Sequence, residues 1–347
     1  MNQPLCLVTG GAGFLGINLV RLLLSRNWAV RSLDTAAFDY PEKPLVDAII
    51  GDVRDPATVN RAMTGVQSVV HAAAALPLAE EPDILSTGIT GTRILLDTAL
   101  AQGVARFVYL SSTAVYGIGH HHPLLESDPL KGVGPYGRTK IEAEVWCEAA
   151  RRRGLCVTVL RPKSFVGPER LGAFELLYDW ALDGRGFPVL GRGNNLNQLL
   201  DVEDLCELIH LCLTVKDDAV CDTFNVAAAR YGTMRENIQA VLDRAGHGRQ
   251  VIALPAGPAI LVLRLLAALG LSPLYPWIYE TAGQDSVVSI ERLRTRLGFT
   301  PRHSNQDALI RNFDWYVAHR DEYRGRRGVS HRLPWKRGVL RLARYLF

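Results

Sequence analysis

Short runs of apolar residues alternate with segments of helical periodicity through the first half of the chain. The apolar runs predict six β-strands: Leu5–Thr9, Ala29–Asp34, Ala48–Gly51, Ser68–Ala72, Phe107–Ser111 and Cys156–Arg161. The segments between them repeat apolar residues every three or four positions and predict four helices: Phe14–Ser25, Pro56–Met63, Gly91–Gln102 and Gly137–Arg153. Since the strands are apolar throughout, we expect an α/β fold of the doubly wound type, with a parallel sheet covered on both faces.

The pattern becomes less regular after about Gly167. It predicts four more helices: Phe174–Leu182, Val202–Leu213, Met234–Ala245 and Asp307–Ala318. We interpret residues 1–167 as the domain that forms the sheet and residues 168–322 as a smaller C-terminal α/β lobe, with a substrate cleft between them. The helix that carries Asp204 is expected to return to the first domain. Residues 323–347 form a separate tail.

The composition is that of an ordinary globular protein, with 48% hydrophobic and 21% charged residues in a chain of 347. It excludes a disordered chain, a collagen-like repeat and a small disulfide scaffold. The formal charge of +4 is unevenly distributed: the tail has eight basic residues and no acidic one, which leaves −4 for residues 1–322. Because basic and aromatic residues do not interleave as in a nucleic-acid-binding module, no nucleic-acid partner is expected.

The tail has an amphipathic pattern. From Pro334 onward, Trp335, Val339, Leu342 and Leu346 fall on one helical stripe, with arginines opposite. This pattern is typical of an interfacial helix that is attracted to anionic lipid, and it predicts peripheral contact of residues 334–347 with the inner face of a membrane. The alternative is a helix that docks on its own domain or across a dimer.

Four further observations favour a cytoplasmic protein without metal. The six cysteines lie in apolar surroundings and form no C-x-x-C pair, so we interpret them as reduced, buried thiols. The chain starts directly with a strand and shows no signal-peptide pattern, and its longest apolar run, Ala259–Leu271, spans about 13 residues where a bilayer needs about 20. His120–His122 is interpreted as a solvated loop, because adjacent loop residues rarely converge on one ion.

A glycine-rich turn follows the first strand and opens the first helix. Gly10, Gly13 and Gly16 are spaced G-x-x-G-x-x-G, with Phe14 and Leu15 inside the motif. Glycines allow a tight turn and close approach to a pyrophosphate, whose charge then lies at a helix N-terminus. Because the motif lies in the first strand–helix unit, it predicts a Rossmann-type dinucleotide site.

Acidic residues follow the second and third strands. Asp34 lies 24 residues beyond Gly10, where its carboxylate can accept from both ribose hydroxyls and would repel a 2′-phosphate. This favours NAD over NADP; the alternative is an Asp that caps a turn. Asp52 and the adjacent Val53 follow the third strand, where Asp52 could accept from the adenine amino group or serve only as a turn residue.

Tyr136 and Lys140 read Y-x-x-x-K near the start of a helix, which puts them on one helix face about one turn apart. A phenol with a pKa of about 10 is a poor base at neutral pH, and a neighbouring ammonium favours the phenolate. The segment Ser111-Ser112-Thr113 lies at the carboxyl end of a strand, the edge where ligands bind in open α/β sheets. A hydroxyl there can donate to the substrate oxygen whose proton Tyr136 removes.

Together these motifs resemble an extended short-chain dehydrogenase/reductase of the NAD-dependent epimerase/dehydratase family. Further matching segments are His71-Ala72-Ala73-Ala74, Gly91-Thr92, Arg106-Phe107-Val108-Tyr109, Arg161-Pro162, Val166-Gly167-Pro168 and Asp201-Val202-Glu203-Asp204, so that the resemblance covers about residues 5–320. It implies that Tyr136 is the acid/base, that Lys140 tunes it and holds the nicotinamide ribose, and that Ser112 is the catalytic hydroxyl, with Thr113 held in reserve. It also implies that NAD contacts Ala72 and that the protein is a homodimer.

Departures from the family pattern bear on the substrate. The Asp-Glu pair that follows the catalytic Thr in sugar-nucleotide dehydratases is replaced by Thr113 and Ala114, which argues against 4,6-dehydration. Ser164 replaces an Asn that touches the substrate diphosphate, and the usual Asn four residues before Gly91-Thr92 is missing. The Gly191–Gln198 loop lacks an obvious counterpart of the family's Arg. We take Thr113, Ser164 and Arg192 as candidate substrate contacts.

The sequence therefore predicts an NAD-dependent epimerase of a nucleotide-activated or lipid-linked sugar, working through a transient keto intermediate. One alternative is an NAD(P)-dependent dehydrogenase or ketoreductase of a sugar or sterol-like alcohol with the same catalytic residues. The other is a non-catalytic NAD-binding scaffold.

Overall fold

A computed structural model of the protein describes residues 3–76, 79–119, 121–215, 218–268 and 283–323. Its main feature is a seven-stranded, all-parallel sheet in the order β11-β6-β5-β4-β1-β2-β3. The strands are β1 (Leu5–Thr9), β2 (Ala29–Asp34), β3 (Val46–Ile50), β4 (Ser68–His71), β5 (Arg106–Leu110), β6 (Val157–Pro162) and β11 (Thr223–Val226). The strand order reverses between β1 and β4, which creates a crevice at their carboxyl ends.

Helices cover both faces of this sheet, as the apolar strands require. One face carries α1 (Phe14–Ser25), α7 (Val202–Thr214) and α10 (Glu291–Leu297), and the other carries α2 (Pro56–Met63), α4 (Thr92–Ala101) and α5 (Gly134–Arg152). Ile17 and Leu208 are fully buried on the first face, and Val59 and Leu95 on the second. The predicted α/β fold with a doubly wound parallel sheet is confirmed.

The second lobe packs three helices over a small parallel β-pair. Its helices are α6 (Ala173–Leu182), α8 (Met234–Ala245) and α11 (Asn305–His319), and the pair is β8 (Phe187–Leu190) with β13 (Val251–Leu254). Tyr178, Val241 and Phe313 lie at the centre of its core. Shorter elements complete the description: α3 (Glu81–Leu85), α9 (Ala256–Ala268), β7 (Phe165–Val166) paired with β10 (Leu200–Asp201), and β9 (Leu196–Asn197) paired with β12 (Gly232–Thr233).

Several elements coincide with their predicted bounds, among them β1, β2, α1, α2 and α8. The chain between α3 and α4 forms a π-helical stretch, Ser86–Gly91, where no helix was predicted. Helix α5 begins at Gly134, three residues earlier than predicted, and has a proline in its first turn. Helix α7 packs against α1, and β11 joins the main sheet beside β6.

The interpretation of all six cysteines as reduced thiols is wrong. Cys156 and Cys221 form a disulfide with a Cα–Cα distance of 5.2 Å. They precede β6 and β11, which are neighbours in the sheet, so the pairing of these two strands brings the sulfurs together. Cys6, Cys147, Cys206 and Cys212 are free and buried, as predicted. Cys156 and Cys221 are therefore not thiols of the kind that a reducing cytoplasm maintains.

Two predictions concern segments outside the described residues. The amphipathic pattern at 334–347 and His120 both fall there. Within the described ranges, no helix combines the length and the hydropathy that crossing a bilayer requires.

Candidate active site

The glycine-rich turn lies in the crevice between β1 and β4. Gly10 has φ +72°, and a β-carbon there would lie 2.8 Å from the backbone nitrogen of Ala73, just beyond β4. A β-carbon on Gly16 would lie 2.3 Å from the Gly10 carbonyl oxygen, so only glycine lets α1 approach the turn. Gly13 caps α1 without a side-chain hydrogen bond, which leaves the backbone N–H groups of the first helical turn without a side-chain cap. This cradle fits a dinucleotide pyrophosphate.

Asp34 lies beside this turn at the end of β2. One carboxylate oxygen accepts from the Ala12 N–H (3.0 Å) and the other from the Ala36 N–H (2.9 Å). The side chain is half-buried, and each carboxylate oxygen retains further acceptor capacity. The carboxylate therefore stabilises the turn and can still accept from a ribose diol. Asp34 can be both a turn-capping residue and a ribose-binding residue.

Asp52 already has a cationic partner. Its carboxylate pairs with Arg54, with Oδ2 2.6 Å from Nη2 and Oδ1 3.0 Å from Nε, and these hydrogen bonds lower the pKa of Asp52. Arg54 also donates to Asp83 and Ser86. Val53 is buried, and its side chain occupies the space beside Gly91. The adenine contact of Asp52 stays a prediction, and the structure adds that Arg54 already engages both of its oxygens.

A buried hydrogen-bond chain that sequence reasoning missed supports the crevice. Thr9 Oγ1 lies 2.8 Å from His71 Nδ1, and His71 Nε2 lies 2.9 Å from Thr92 Oγ1, which donates to the Gly88 carbonyl. Because the Thr92 hydroxyl donates its only hydrogen to that carbonyl, it can only accept from His71. His71 must therefore donate from Nε2 and accept at Nδ1. Burial lowers the pKa of His71 to about 3, with a further contribution from the Lys140 charge. The neutral imidazole thus fixes the end of β4, which leads into Ala72, against the glycine turn.

The predicted catalytic residues occupy two elements at the same edge of the sheet. Ser112 follows β5, is half-buried, and accepts from the Ala114 N–H at 3.1 Å. Tyr136 lies half-buried in the first turn of α5, and Lys140 lies buried one turn later. The Lys140 ammonium is 5.6 Å from the centre of the Tyr136 ring. It donates to the carbonyl of Leu110, two residues before Ser112, at 2.7 Å.

Burial lowers the pKa of Lys140 to about 8. Its charged form next to Tyr136 favours the phenolate, and its hydrogen bond to Leu110 connects α5 to the strand that carries Ser112. The structure therefore brings the three residues to one edge of the sheet, and their catalytic roles stay predictions.

A second buried network lies one turn beyond Lys140. Glu144 on α5 forms an ion pair with Arg161 on β6 and accepts from the Ser111 hydroxyl at 2.5 Å. Arg161 also donates to the Tyr116 hydroxyl at 2.8 Å. The motif Arg161-Pro162 was a sequence signal for this network, but Glu144 was not singled out.

The profile of the NAD dependent epimerase/dehydratase family matches residues 6–227, more than half of the chain. This protein belongs to that family. Within the family, an uncharacterized protein of Sinorhizobium fredii, y4nG, is 36% identical over 343 residues, which cover 98% of this chain and 85% of the relative. A dTDP-glucose 4,6-dehydratase of Streptomyces antibioticus is 27% identical over 331 residues, covering 89% of this chain and 91% of that enzyme.

Solved structures give the same fold. The UDP-glucose 4-epimerase of Thermotoga maritima, solved with UDP-glucose, superposes with a TM-score of 0.75 at 21% identity and covers 90% of this chain and 99% of its own. Members of the epimerase/dehydratase family use NAD, and both reaction types occur among the relatives. The choice between them for this family member depends on its own site residues.

The candidate substrate contacts lie on different parts of the fold. Thr113 is half-buried directly after Ser112, and Ser164 is exposed just beyond β6. Arg192 is exposed on the loop after β8, where its backbone oxygen accepts from Arg235. The structure keeps Thr113 and Ser164 at the catalytic edge and puts Arg192 in the second lobe, and their contacts with a substrate stay predictions.

Proposed function

We propose that the protein is an NAD-dependent epimerase that acts on a nucleotide-activated or lipid-linked sugar through a transient keto intermediate. The observation that carries this proposal is the position of Lys140, which contacts the ring of Tyr136 and the strand end that leads to Ser112. An acid/base, the cation that tunes it and a hydroxyl donor are thereby held beside a dinucleotide cradle.

The residues present fit NAD. The Gly10–Gly16 turn and the start of α1 would hold the pyrophosphate, Asp34 the adenosine ribose, and Lys140 the nicotinamide ribose. When bound, NAD supplies the hydride acceptor and donor for the sugar carbon. Asp34 disfavours a 2′-phosphate at the ribose because two negative charges would meet there.

The chain's own residues handle the protons. Tyr136, as phenolate, accepts the proton of the sugar hydroxyl at the carbon that is inverted, and it returns this proton after the keto sugar has turned in the cleft. Ser112 donates a hydrogen bond to the same sugar oxygen and positions it. The Lys140 ammonium lowers the cost of the phenolate.

Dehydration is not favoured by the residues beside Ser112. Thr113 and Ala114 occupy the positions of the dehydratase carboxylates, and neither can supply the acid and base that eliminate water. The same edge lacks the Asn that contacts a diphosphate, because Ser164 replaces it, and this supports a lipid-linked variant of the substrate. As further parts of the proposal, the enzyme is a cytoplasmic homodimer, and residues 334–347 contact the inner face of the membrane.

The test is an assay of the purified protein with NAD and a panel of UDP- and dTDP-sugars. We expect an epimer of one of these sugars to form, detected by chromatography, without net change in absorbance by NADH. Tyr136→Phe should reduce the rate by a factor of about 10² to 10⁴ while NAD binding persists. Stoichiometric NADH formation would support the dehydrogenase alternative, and full activity of Tyr136→Phe would exclude Tyr136 as the acid/base in both enzymatic functions.

A further inference from the structure

Among the described residues, Lys163 is a cation at the catalytic edge without an anionic partner. It directly follows β6, and its backbone N–H donates to the Val226 carbonyl at 2.9 Å. Its ammonium donates to the Ser286 hydroxyl at 2.5 Å. Among the described residues, this is the one hydrogen bond of the ammonium, and no carboxylate lies within ion-pair distance of it. Two of its three N–H donors therefore remain for a ligand.

Lys163 lies next to the main sheet on one side and to a segment held by the second lobe on the other. Strand β6 runs parallel to β5 with Leu160 opposite Leu110, so that Lys163 and Thr113 both lie three residues beyond this pair. On the other side, Ser286 is held by the second lobe, because its N–H donates to the Leu196 carbonyl at 2.8 Å and its carbonyl accepts from the Gln198 N–H. The contact between Lys163 and Ser286 thus bridges the catalytic edge and the loop after β8.

The acidic residue next to Ser286 in the sequence already accepts a hydrogen bond from another residue. Asp285, next to Ser286, is exposed, and its Oδ1 accepts from the Leu196 N–H at 2.7 Å. Lys163 itself is half-buried as a whole residue, and burial lowers the pKa of its ammonium to about 8. A desolvated ammonium without a counter-ion is unfavourable, and an anionic ligand group that supplies acceptors would offset this cost.

We propose that Lys163, oriented by Ser286, binds an oxyanion of the substrate. The oxyanion is either a carboxylate on the sugar ring or a phosphate that links the sugar to its carrier. This inference rests on the proposed function and deepens it, because it assigns a residue at the catalytic edge to a negatively charged group of the substrate. Arg could replace Lys163 in this role, whereas an apolar residue of similar length could not.

The experiment is calorimetric titration of the NAD-loaded protein with UDP, UDP-glucose and UDP-glucuronic acid. We expect Lys163→Met to weaken binding by a factor of about 10 to 100, in line with the loss of a charge-assisted hydrogen bond, and Lys163→Arg to stay within a few-fold of wild type. Ser286→Ala should have a smaller effect. Unchanged NAD affinity shows that each variant is folded.

The three ligands separate the two sources of the oxyanion. An equal loss for UDP and both UDP-sugars assigns Lys163 to the diphosphate, and a loss confined to UDP-glucuronic acid assigns it to the sugar carboxylate. If Lys163→Met binds every ligand as tightly as wild type does, the proposal is wrong.

A second measurement on the unmodified protein does not depend on nucleotide sugars. Trace acetylation with acetic anhydride, read by mass spectrometry, reports the reactivity of Lys163 with the exposed Lys43 as internal reference. We expect pyrophosphate or glucuronate to protect Lys163 several-fold relative to chloride at equal ionic strength. Protection without any binding of nucleotide sugars would reject a nucleotide-activated substrate for the proposed epimerase and leave the oxyanion position intact. No protection by either anion would overturn the oxyanion position itself.

Discussion

Glu144 and Arg161 form a buried, two-pronged ion pair that joins α5 to β6. Arg161 Nη2 lies 2.6 Å from Glu144 Oε2, and Arg161 Nε lies 3.0 Å from Oε1. The two side chains are only 6% and 9% exposed. Because Glu144 lies one turn beyond Lys140 and also accepts from Ser111, the pair fixes the helix that carries Tyr136 against the strand end that leads to Ser112.

Removal of one partner of this pair should lower the free energy of unfolding more than removal of both partners. Arg161→Met leaves a buried carboxylate without its cation and should lower the free energy of unfolding by about 3 to 5 kcal/mol. In the double variant Glu144→Met with Arg161→Met, part of this loss should be recovered. Urea denaturation of the two single variants and the double variant provides the cycle. Additive losses would show that the two side chains do not interact energetically.

Gly10→Ala should reduce both stability and NAD affinity, since its β-carbon would collide with the backbone of Ala73. Gly103→Ala is the matched control: its φ of +68° is close to the +72° of Gly10, but nothing lies within 4 Å of its β-carbon. Both variants carry the strain of a left-handed backbone, about 1 kcal/mol. We expect only Gly10→Ala to lose NAD binding, measured by fluorescence titration. Equal NAD affinity in the two variants would contradict the close approach of β1 and β4.

Asp34→Asn should change the cofactor preference. The substitution removes the negative charge that would repel a 2′-phosphate, so the ratio of NADP to NAD affinity should rise, by about tenfold for a change of 1.4 kcal/mol. Asp55→Asn, at the exposed N-cap of α2, makes the same change in net charge away from the crevice and should leave the ratio unchanged. Dissociation constants for both cofactors decide the matter. A constant ratio in Asp34→Asn would restrict Asp34 to its role in the turn.

Lys140 should leave a signature in the pH dependence of stability. Its pKa is lowered from 10.5 to about 8 in the folded protein, so the unfolded chain holds one more proton between these values. Stability therefore gains from this group as the pH rises from about 8 to 10.5, by up to about 1.4 kcal/mol per pH unit. Lys140→Met should flatten the rise in urea denaturation series, and Lys43→Met, at an exposed position, should not. An unchanged slope in Lys140→Met would mean that the ammonium is not desolvated.

Elements that are specified by their own local sequence pattern could be predicted, and elements that depend on pairing with a distant segment could not. Strand β1 and helix α1 were predicted to the residue because their apolar periodicity is local and strong. Strand β11 was missed, since Thr223–Val226 is a short edge strand with polar residues and is specified by its pairing with β6. The Cys156–Cys221 disulfide was missed for the same reason, because it depends on that pairing.

The site shows the same division. Gly10, Ser112, Tyr136 and Lys140 could be singled out because their chemistry requires particular residue types at fixed spacings. The Glu144–Arg161 pair and the partners of His71 depend on contacts between distant segments, which no local pattern reports. The contact between Lys163 and Ser286 bridges 123 residues of sequence and has no local signal at all.

The return of α7 and β11 to the main sheet makes the two lobes inseparable. The chain leaves the first lobe after β6, comes back for α7 and β11, leaves again for α8 and β13, and comes back once more for α10. A fragment that ended at Gly167 would leave β6 as an unpaired edge strand and would expose the apolar side of α1 to solvent. The first lobe can therefore neither be expressed as an independent module nor be exchanged between relatives by a single crossover, and the cleft is a property of the uninterrupted polypeptide.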